Sequence, residues 1–200
     1  MKKDFIYYLK KFKHFIFEED SILSWIVSVI LAFVIIKFIV YPGLGLLLGT
    51  QYPIVAVVSS SMEHPDGFDR FWEINDNYYD HFNITREDFE SFPSRNGFNK
   101  GDIMILISAK KVEIGDVIVF QSVREPIIHR VIKKWKDENG DYHYQTKGDN
   151  NPHSIKRSDL DETDITQDKI LGKSAIRVPL LGWIKIGFVN LMNTVGVNIS

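Results

Sequence analysis

Two hundred residues with a formal net charge of −2 leave room for one globular domain plus an additional segment, and they provide no overall attraction for nucleic acid. The chain contains no cysteine, which excludes disulfides, zinc sites built on thiolates and a cysteine nucleophile. Hydrophobic residues make up 44% of the chain, which is an ordinary fraction. They are very unevenly distributed, so their positions along the chain are more informative than their number.

The largest apolar excess lies in residues 22–40, "ILSWIVSVILAFVIIKFIV", where Lys37 is the single charge. About 20 apolar residues span the hydrocarbon core of a bilayer. A buried core helix is disfavoured because the segment is apolar on every face. A cleaved signal peptide is disfavoured because the run is long and no small-x-small cleavage site follows before Tyr41 and Pro42. The sequence therefore predicts a transmembrane helix over residues 22–41.

The charges that flank this segment predict its orientation. Several lysines precede it, whereas after Lys37 no lysine or arginine occurs until Arg70. The positive-inside rule then places residues 1–21 in the cytoplasm and residues from about 42 onward outside a cell membrane crossed once. Apolar residues recur at helical spacing between the lysines of residues 5–16, which predicts an amphipathic helix on the anionic inner leaflet.

Residues 42–200 are predicted to form a mainly β domain. Pro42 and the glycines that follow it are expected to break the helix. Short β-branched or aromatic runs bounded by turn residues then predict strands at residues 53–59, 102–108, 116–123, 127–135 and 142–148, with one or two more within 173–186. The apolar C-terminal segment is interrupted by Lys185, Gly187 and Asn190, which favours an edge of the core on the membrane surface over a second span.

The segment of about residues 63–100 interrupts the strand pattern. It is acidic, rich in aromatic residues and without strand periodicity, and its "TREDFESF" predicts a short helix capped by Thr85. We therefore expect a partly helical insertion that packs at the edge of the β domain.

Three serines, residues 59–61 in "VVSSSMEHPD", follow the first predicted strand. Serine clusters are usually turns, and a serine nucleophile requires a positioned base. His129 differs from the other histidines because it lies in an apolar strand, "PIIHRVI", although a lone strand histidine is more often structural. Asp149, in "TKGDNNP", would ordinarily be a turn aspartate. The residues alone leave the catalytic and the structural interpretations open.

"SSSM", "GDVIVF", "HRVI" and "TKGDNN", in that order behind an N-terminal anchor, resemble type I signal peptidases of the archaeal and endoplasmic-reticulum branch. The resemblance covers about residues 50–187. It implies a membrane-anchored serine endopeptidase that removes N-terminal signal peptides without a metal or cofactor. In this family Ser61 would be the nucleophile and His129 the general base, with Asp149 beside the histidine. Ser59 and the backbone N–H of Ser61 would stabilise the oxyanion.

The chain departs from the family pattern in two places. A further functional aspartate usually follows "GDNN" closely, but here residues 152–164, "PHSIKRSDLDETD", offer Asp159, Asp161 and Asp164 at a longer spacing. Asp159 is favoured among them. The insertion after Met62 is the second departure, and we expect it to form a wall or lid beside the cleft.

The expected partners are the signal peptides of secreted preproteins, the lipid bilayer and the protein-export channel, and nucleic acid is not among them. One alternative is a catalytically inactive membrane-anchored β module that binds an extracellular partner. Another is a self-cleaving repressor-type protease, but such a protein would be cytosolic and would use lysine, so the anchor and His129 both argue against it.

Overall fold

The computed structural model describes residues 2–194, and the chain divides into two compact units, Met1–Leu47 and Leu48–Ser200. In the first unit, helix α1 (Lys2–Phe17) is followed by α2 (Ile22–Ile35), which begins where the Ser21 side chain accepts a hydrogen bond from the Ser24 N–H. A π-helical turn (Ile36–Val40) and α3 (Tyr41–Leu48) continue α2. The apolar helix Ile22–Leu48 has the length and composition to cross a membrane.

The prediction that the helix breaks at Pro42 and the following glycines is wrong at Pro42, Gly43 and Gly45 and correct at Gly49. The helix passes through Pro42 and ends at Leu48, before Gly49 with its positive φ of 68°. A proline lacks an N–H and its ring crowds the carbonyl four residues earlier. The wider π turn immediately before α3 is a known way to accommodate such an interruption without ending the helix.

The second unit is built on one antiparallel sheet, which confirms the mainly β prediction. Its strand order is β1-β2-β7-β3-β4-β5-β6. Each of the five runs predicted before residue 150 contains or overlaps one strand, while a short strand at Ile165–Thr166 was not predicted. The strands are β1 (Ile54–Ala56), β2 (Ile103–Ile107), β3 (Val117–Gln121), β4 (Pro126–Lys136), β5 (Tyr142–Lys147), β6 (Ile165–Thr166) and β7 (Ile170–Val178).

Two hydrophobic clusters use alternate side chains of the central strand β3. Val117 and Val119 belong to one cluster, and Ile118 and Phe120 belong to the other, because successive side chains of a strand point to opposite faces. Met62, which is fully buried, packs in the first cluster. The residue after Ser61 is thus fixed in the core.

The insertion contains α4 (Gly67–Asp80) and α5 (Arg86–Ser91). Thr85 and Asp88 form a reciprocal capping box at the start of α5, which confirms the predicted cap. Phe71, Tyr79, Ile84 and Phe89 form a cluster with Ile132 of β4. This third cluster joins the insertion to the strand that carries His129. Beyond β7, a last helix α6 (Trp183–Thr194) occupies the C-terminal apolar segment, whose residues 195–200 lie outside the described part.

Candidate active site

The structure brings Ser61 and His129 together. The Ser61 Oγ lies 2.9 Å from the His129 Nε2, and only 4% of His129 is exposed. His129 stands opposite Ile118 in the β3–β4 pairing, so a central strand fixes its backbone. Buried Met62 fixes the serine turn from the other side. A hydroxyl and an imidazole at this distance can exchange a proton.

The loop at residues 148–151 holds the serine turn against the histidine. The Asn150 N–H donates to the Ser61 carbonyl at 2.8 Å, and the Asn150 side-chain amide donates to the Ser60 carbonyl at 3.1 Å. A Cβ added to Gly148 would lie 2.8 Å from the His129 Nε2 and 2.9 Å from the Ser61 carbonyl oxygen. Glycine at this position therefore allows the close approach of the loop.

The carboxylate on the second nitrogen of His129 belongs to Glu162. The His129 Nδ1 lies 2.5 Å from the Glu162 Oε1, and Glu162 is fully buried. Glu162 also accepts hydrogen bonds from the Thr146 hydroxyl at 3.0 Å and from the Ile155 N–H at 2.8 Å. A carboxylate at Nδ1 favours the tautomer with its proton there, which leaves Nε2 free to accept from Ser61.

Sequence reasoning missed Glu162 because it considered only the aspartates of the "DLDETD" stretch. The longer spacing after "GDNN" was the available signal that the further acidic residue lies later in this chain than in the family pattern. A search of that stretch for either carboxylate would have included Glu162.

Asp149 binds a different set of partners. The Arg130 Nε and Nη2 donate to its two carboxylate oxygens at 2.9 and 2.8 Å, and the His64 Nε2 lies 3.1 Å from Oδ2. Burial alone raises the pKa of the Asp149 carboxyl, but the charge of Arg130 and hydrogen bonds from His64 and Arg130 outweigh it and lower that pKa to about 2. Asp149 is thus held as a carboxylate.

This arrangement differs from the expectation that Asp149 orients the imidazole of His129. Arg130 follows His129 on β4, and consecutive side chains of a strand start on opposite faces. Asp149 pairs with the arginine, and Glu162 takes the contact with the histidine.

Ser59 lies beside the candidate nucleophile. Its Oγ is 3.1 Å from the Ser61 Oγ, and its side chain is exposed. A hydroxyl at this place can donate to negative charge that develops next to Ser61. Its assignment to the oxyanion stays a prediction.

Comparison with known proteins gives the family. No family model matches the chain. The signal peptidase complex catalytic subunit SEC11 of Komagataella phaffii is 30% identical over 162 residues, which cover 74% of each chain. The chain belongs to the SEC11 family. SEC11 of Eremothecium gossypii is 29% identical over 154 residues, covering 74% of this chain and 73% of its own, and human SEC11C is 30% identical over 116 residues, covering 56% and 44%.

Membership of the SEC11 family confirms the resemblance to signal peptidases that the four motifs carry. It also gives the site a chemical context, because these relatives are catalytic subunits of signal peptidase complexes. The chain in which this hydroxyl, imidazole and carboxylate meet therefore belongs to a family of peptidases.

The three aspartates considered for the further acidic role have other partners in this SEC11 family member. Asp159 accepts from the Arg157 Nε at 3.2 Å, Asp161 accepts from the Thr163 hydroxyl at 2.6 Å, and Asp164 lies 2.5 Å from the His143 Nδ1. Asp159, the favoured candidate, keeps a partly exposed carboxylate on the surface. Among the described contacts, the carboxylate at His129 is that of Glu162.

One buried lysine also lies close to the site. Burial lowers the pKa of Lys147 to about 8, and its ammonium donates to the Asn75 side chain at 3.0 Å and to the carbonyls of Gly148 and Asp149 at 3.2 and 3.0 Å. These contacts tie the 148–151 loop to α4 of the insertion. Lys147 therefore supports the loop, and His129 is the basic group at Ser61. Within the described part of the chain, no group of three or more histidine, aspartate or glutamate side chains could hold a metal ion.

Proposed function

We propose that this SEC11 family protein is a membrane-anchored serine endopeptidase that removes N-terminal signal peptides from exported precursors. The observation that carries the proposal is the continuous contact from Ser61 through His129 to Glu162. Nucleophile, base and orienting carboxylate recur in this geometry on unrelated folds of acyl-transfer enzymes. The family relationship supplies the substrate class.

In the first half of the reaction, the Ser61 Oγ attacks the carbonyl carbon of the scissile peptide bond while the His129 Nε2 takes the hydroxyl proton. The tetrahedral intermediate collapses when His129 gives that proton to the leaving amine, and the signal peptide stays as an ester on Ser61. Water then attacks the ester, with His129 again taking the proton and returning it to the Ser61 oxygen. Glu162 holds the imidazole and stabilises its charged form throughout.

The oxyanion is assigned to the backbone N–H of Ser61 and the hydroxyl of Ser59. These donors would face the oxygen that becomes negative when Ser61 attacks. Removing one such donor typically raises the activation free energy by about 2.7–4 kcal/mol.

Asp149 is assigned a supporting role. Its pairs with Arg130 and His64 fix the position of the loop whose Asn150 N–H binds the Ser61 carbonyl. Asp149 thereby acts on the serine turn through the backbone of the loop and not through the imidazole. None of Asp159, Asp161 and Asp164 is assigned a part in the reaction.

The substrate is expected to bind as an extended strand. β1 stands at the end of the described sheet and pairs there with β2, so its second edge is available to a peptide. β1 leads within five residues to Ser61. An added strand would therefore deliver its carbonyl to the nucleophile.

The apolar helix Ile22–Leu48 is assigned as the membrane anchor, with residues 1–21 in the cytoplasm and the β domain outside. Such an anchor would hold the site near the membrane surface, where signal peptides leave the export channel. The lysines that precede the helix support this orientation.

The test is cleavage of a signal-peptide-bearing precursor by the full chain in detergent. We expect Ser61→Ala and His129→Ala to abolish cleavage with the fold intact, and Ser60→Ala, a matched change in the neighbouring serine, to retain it. Unchanged cleavage by Ser61→Ala would refute the nucleophile, and the same result for His129→Ala would refute the base. An intact chain that cleaves no precursor but retains a binding partner would favour the inactive β module.

A further inference from the structure

A cavity of about 250 Å³ lies between the start of α4 and the 148–151 loop. The insertion contributes His64, Phe71 and Ile74 to its walls, and the loop contributes Asn150 and Asn151. The cavity therefore shares residues with the loop that holds the Ser61 turn. Nothing in the reaction described above uses it.

The reaction geometry places the leaving half of the substrate on this side. His129 must give its proton to the leaving amine from Nε2, and that nitrogen lies against Gly148, since a Cβ there would be 2.8 Å away. Asn150 and Asn151 follow Gly148 by two and three residues and line the cavity. The peptide that departs with the amine thus begins next to the cavity, while the acyl half lies on the β1 side of Ser61.

The cavity is also within reach of the first residues of the leaving peptide. Glu63 and His64 line it and follow Ser61 by two and three residues, which limits their separation from Ser61 to about 7–11 Å. An extended peptide advances about 3.3 Å per residue. One to three residues beyond the scissile bond therefore span this distance.

The lining matches a peptide chain. Pro65, Phe71, Ile74 and Pro152 provide apolar walls, and the Asn150 and Asn151 side chains provide amides that suit backbone groups. The charged residues Glu63, Asp66 and Arg70 also line the cavity. The Nδ1 of His64 is buried without a partner among the described residues, while the other ring nitrogen faces the Asp149 carboxylate. With the proton on Nε2, Nδ1 is an acceptor. It is closed to solvent in this structure, so the polar contacts with a bound peptide are assigned to the Asn150 and Asn151 amides.

We propose that the insertion forms a subsite for the first residues of the mature chain and selects a bulky apolar side chain there. The proposal rests on the signal peptidase function and adds a second specificity element to it. The exposed wall residue Ile74, of which 64% is accessible, would become covered when substrate binds. The insertion would thus form a wall of the cleft whose contacts discriminate among the first side chains of the mature chain.

The experiment measures kcat and KM of the full chain in detergent with precursors that carry Ala, Leu, Phe or Lys at each of the three positions after the cleavage site. At one position we expect KM to be roughly tenfold lower for Leu or Phe than for Ala, with kcat unchanged. Ile74→Trp, which fills the cavity, should remove this preference. Ile74→Asp should shift it toward Lys.

Val123→Trp provides the matched control. Val123 is 77% exposed in the turn between β3 and β4 and does not line the cavity, so the preference should survive. Thermal unfolding of each variant confirms that the fold is retained. Cleavage without discrimination at all three positions, or a preference that persists in both Ile74 variants, would overturn the subsite alone. No cleavage of any precursor by the unchanged chain would overturn the proposed function together with the subsite.

Discussion

Two adjacent residues of β4 hold two buried carboxylates in opposite ways. His129 meets Glu162, while Arg130 meets Asp149. The Arg130 guanidinium forms an ion pair with Asp149 at neutral pH and also donates to the carbonyls of Pro93, Ser94 and Gly115. The histidine pair contains a ring nitrogen, the His129 Nε2, that can accept the hydroxyl proton of Ser61. The strand residue that each carboxylate faces therefore decides whether it supports the structure or the chemistry.

This comparison also explains how the insertion reaches the active site. Pro93 and Ser94, which follow α5 in the insertion, accept hydrogen bonds from the Arg130 guanidinium, and Phe89 of α5 lies under it at 4.6 Å. His64 at the start of the insertion reaches the same carboxylate. The start of the insertion and the segment after α5 thus converge on the Arg130–Asp149 pair.

The largest expected effect on stability comes from breaking the Arg130–Asp149 pair. Arg130→Met leaves the buried Asp149 carboxylate with His64 as its remaining side-chain partner and removes the donor to three carbonyls, so we expect it to lower the free energy of unfolding by about 3–5 kcal/mol. The measurement is denaturant unfolding of the full chain in detergent. The matched control is Arg157→Met, which removes an arginine from a surface pair and should change stability by less than about 1 kcal/mol. Equal effects of the two changes would refute the supporting role.

The side of β4 that carries His129, next to Ser61, is tested by Ser59→Ala. This change removes the proposed second oxyanion donor, so kcat should fall by roughly 100- to 1000-fold, which corresponds to about 2.7–4 kcal/mol in activation free energy. The exposed Ser59 packs in no core cluster, and the unfolding free energy should stay unchanged. A kcat within twofold of the unchanged chain would remove Ser59 from the oxyanion site.

The smallest of these effects is the response of the supporting pair to acid. The pKa of Asp149 is about 2 in the folded protein, below the ordinary value of 3.8 for an aspartate. A lowered folded pKa contributes stability above the unfolded pKa, here about 2 kcal/mol, which is lost as the pH falls from about 5 to 2. Denaturant unfolding across this range should show the loss, and Asp149→Asn should reduce the slope. An identical slope in the variant would contradict the ion pair.

Sequence patterns predicted most of the sheet because its signals are local. The run at residues 116–123 is β-branched and bounded by turn residues, and it contains β3 at Val117–Gln121. The Thr85 cap was readable for the same reason, since its partner Asp88 is three residues away. The two-residue strand β6 lacks a comparable pattern. The helix through Pro42 depends on a π turn that composition does not reveal.

The candidate site was only partly predictable because its contacts join distant residues. Ser61 and His129 were found through motif resemblance, and they are separated by 68 positions. Glu162 lies in an irregular segment, so no periodicity indicates that its side chain faces His129. The partner of Asp149 could not be predicted for a similar reason. The pairing depends on which face of β4 the Arg130 side chain projects from and on which loop lies there.

The most direct test of the account is the single-turnover cleavage rate of Glu162→Gln at neutral pH, measured beside Asp159→Asn. Glutamine keeps the size of the side chain but removes the charge that fixes and stabilises the imidazole. The account predicts that Glu162→Gln lowers the rate by about 10⁴-fold while Asp159→Asn cleaves like the unchanged chain. Full activity in Glu162→Gln, or a comparable loss in Asp159→Asn, would contradict it.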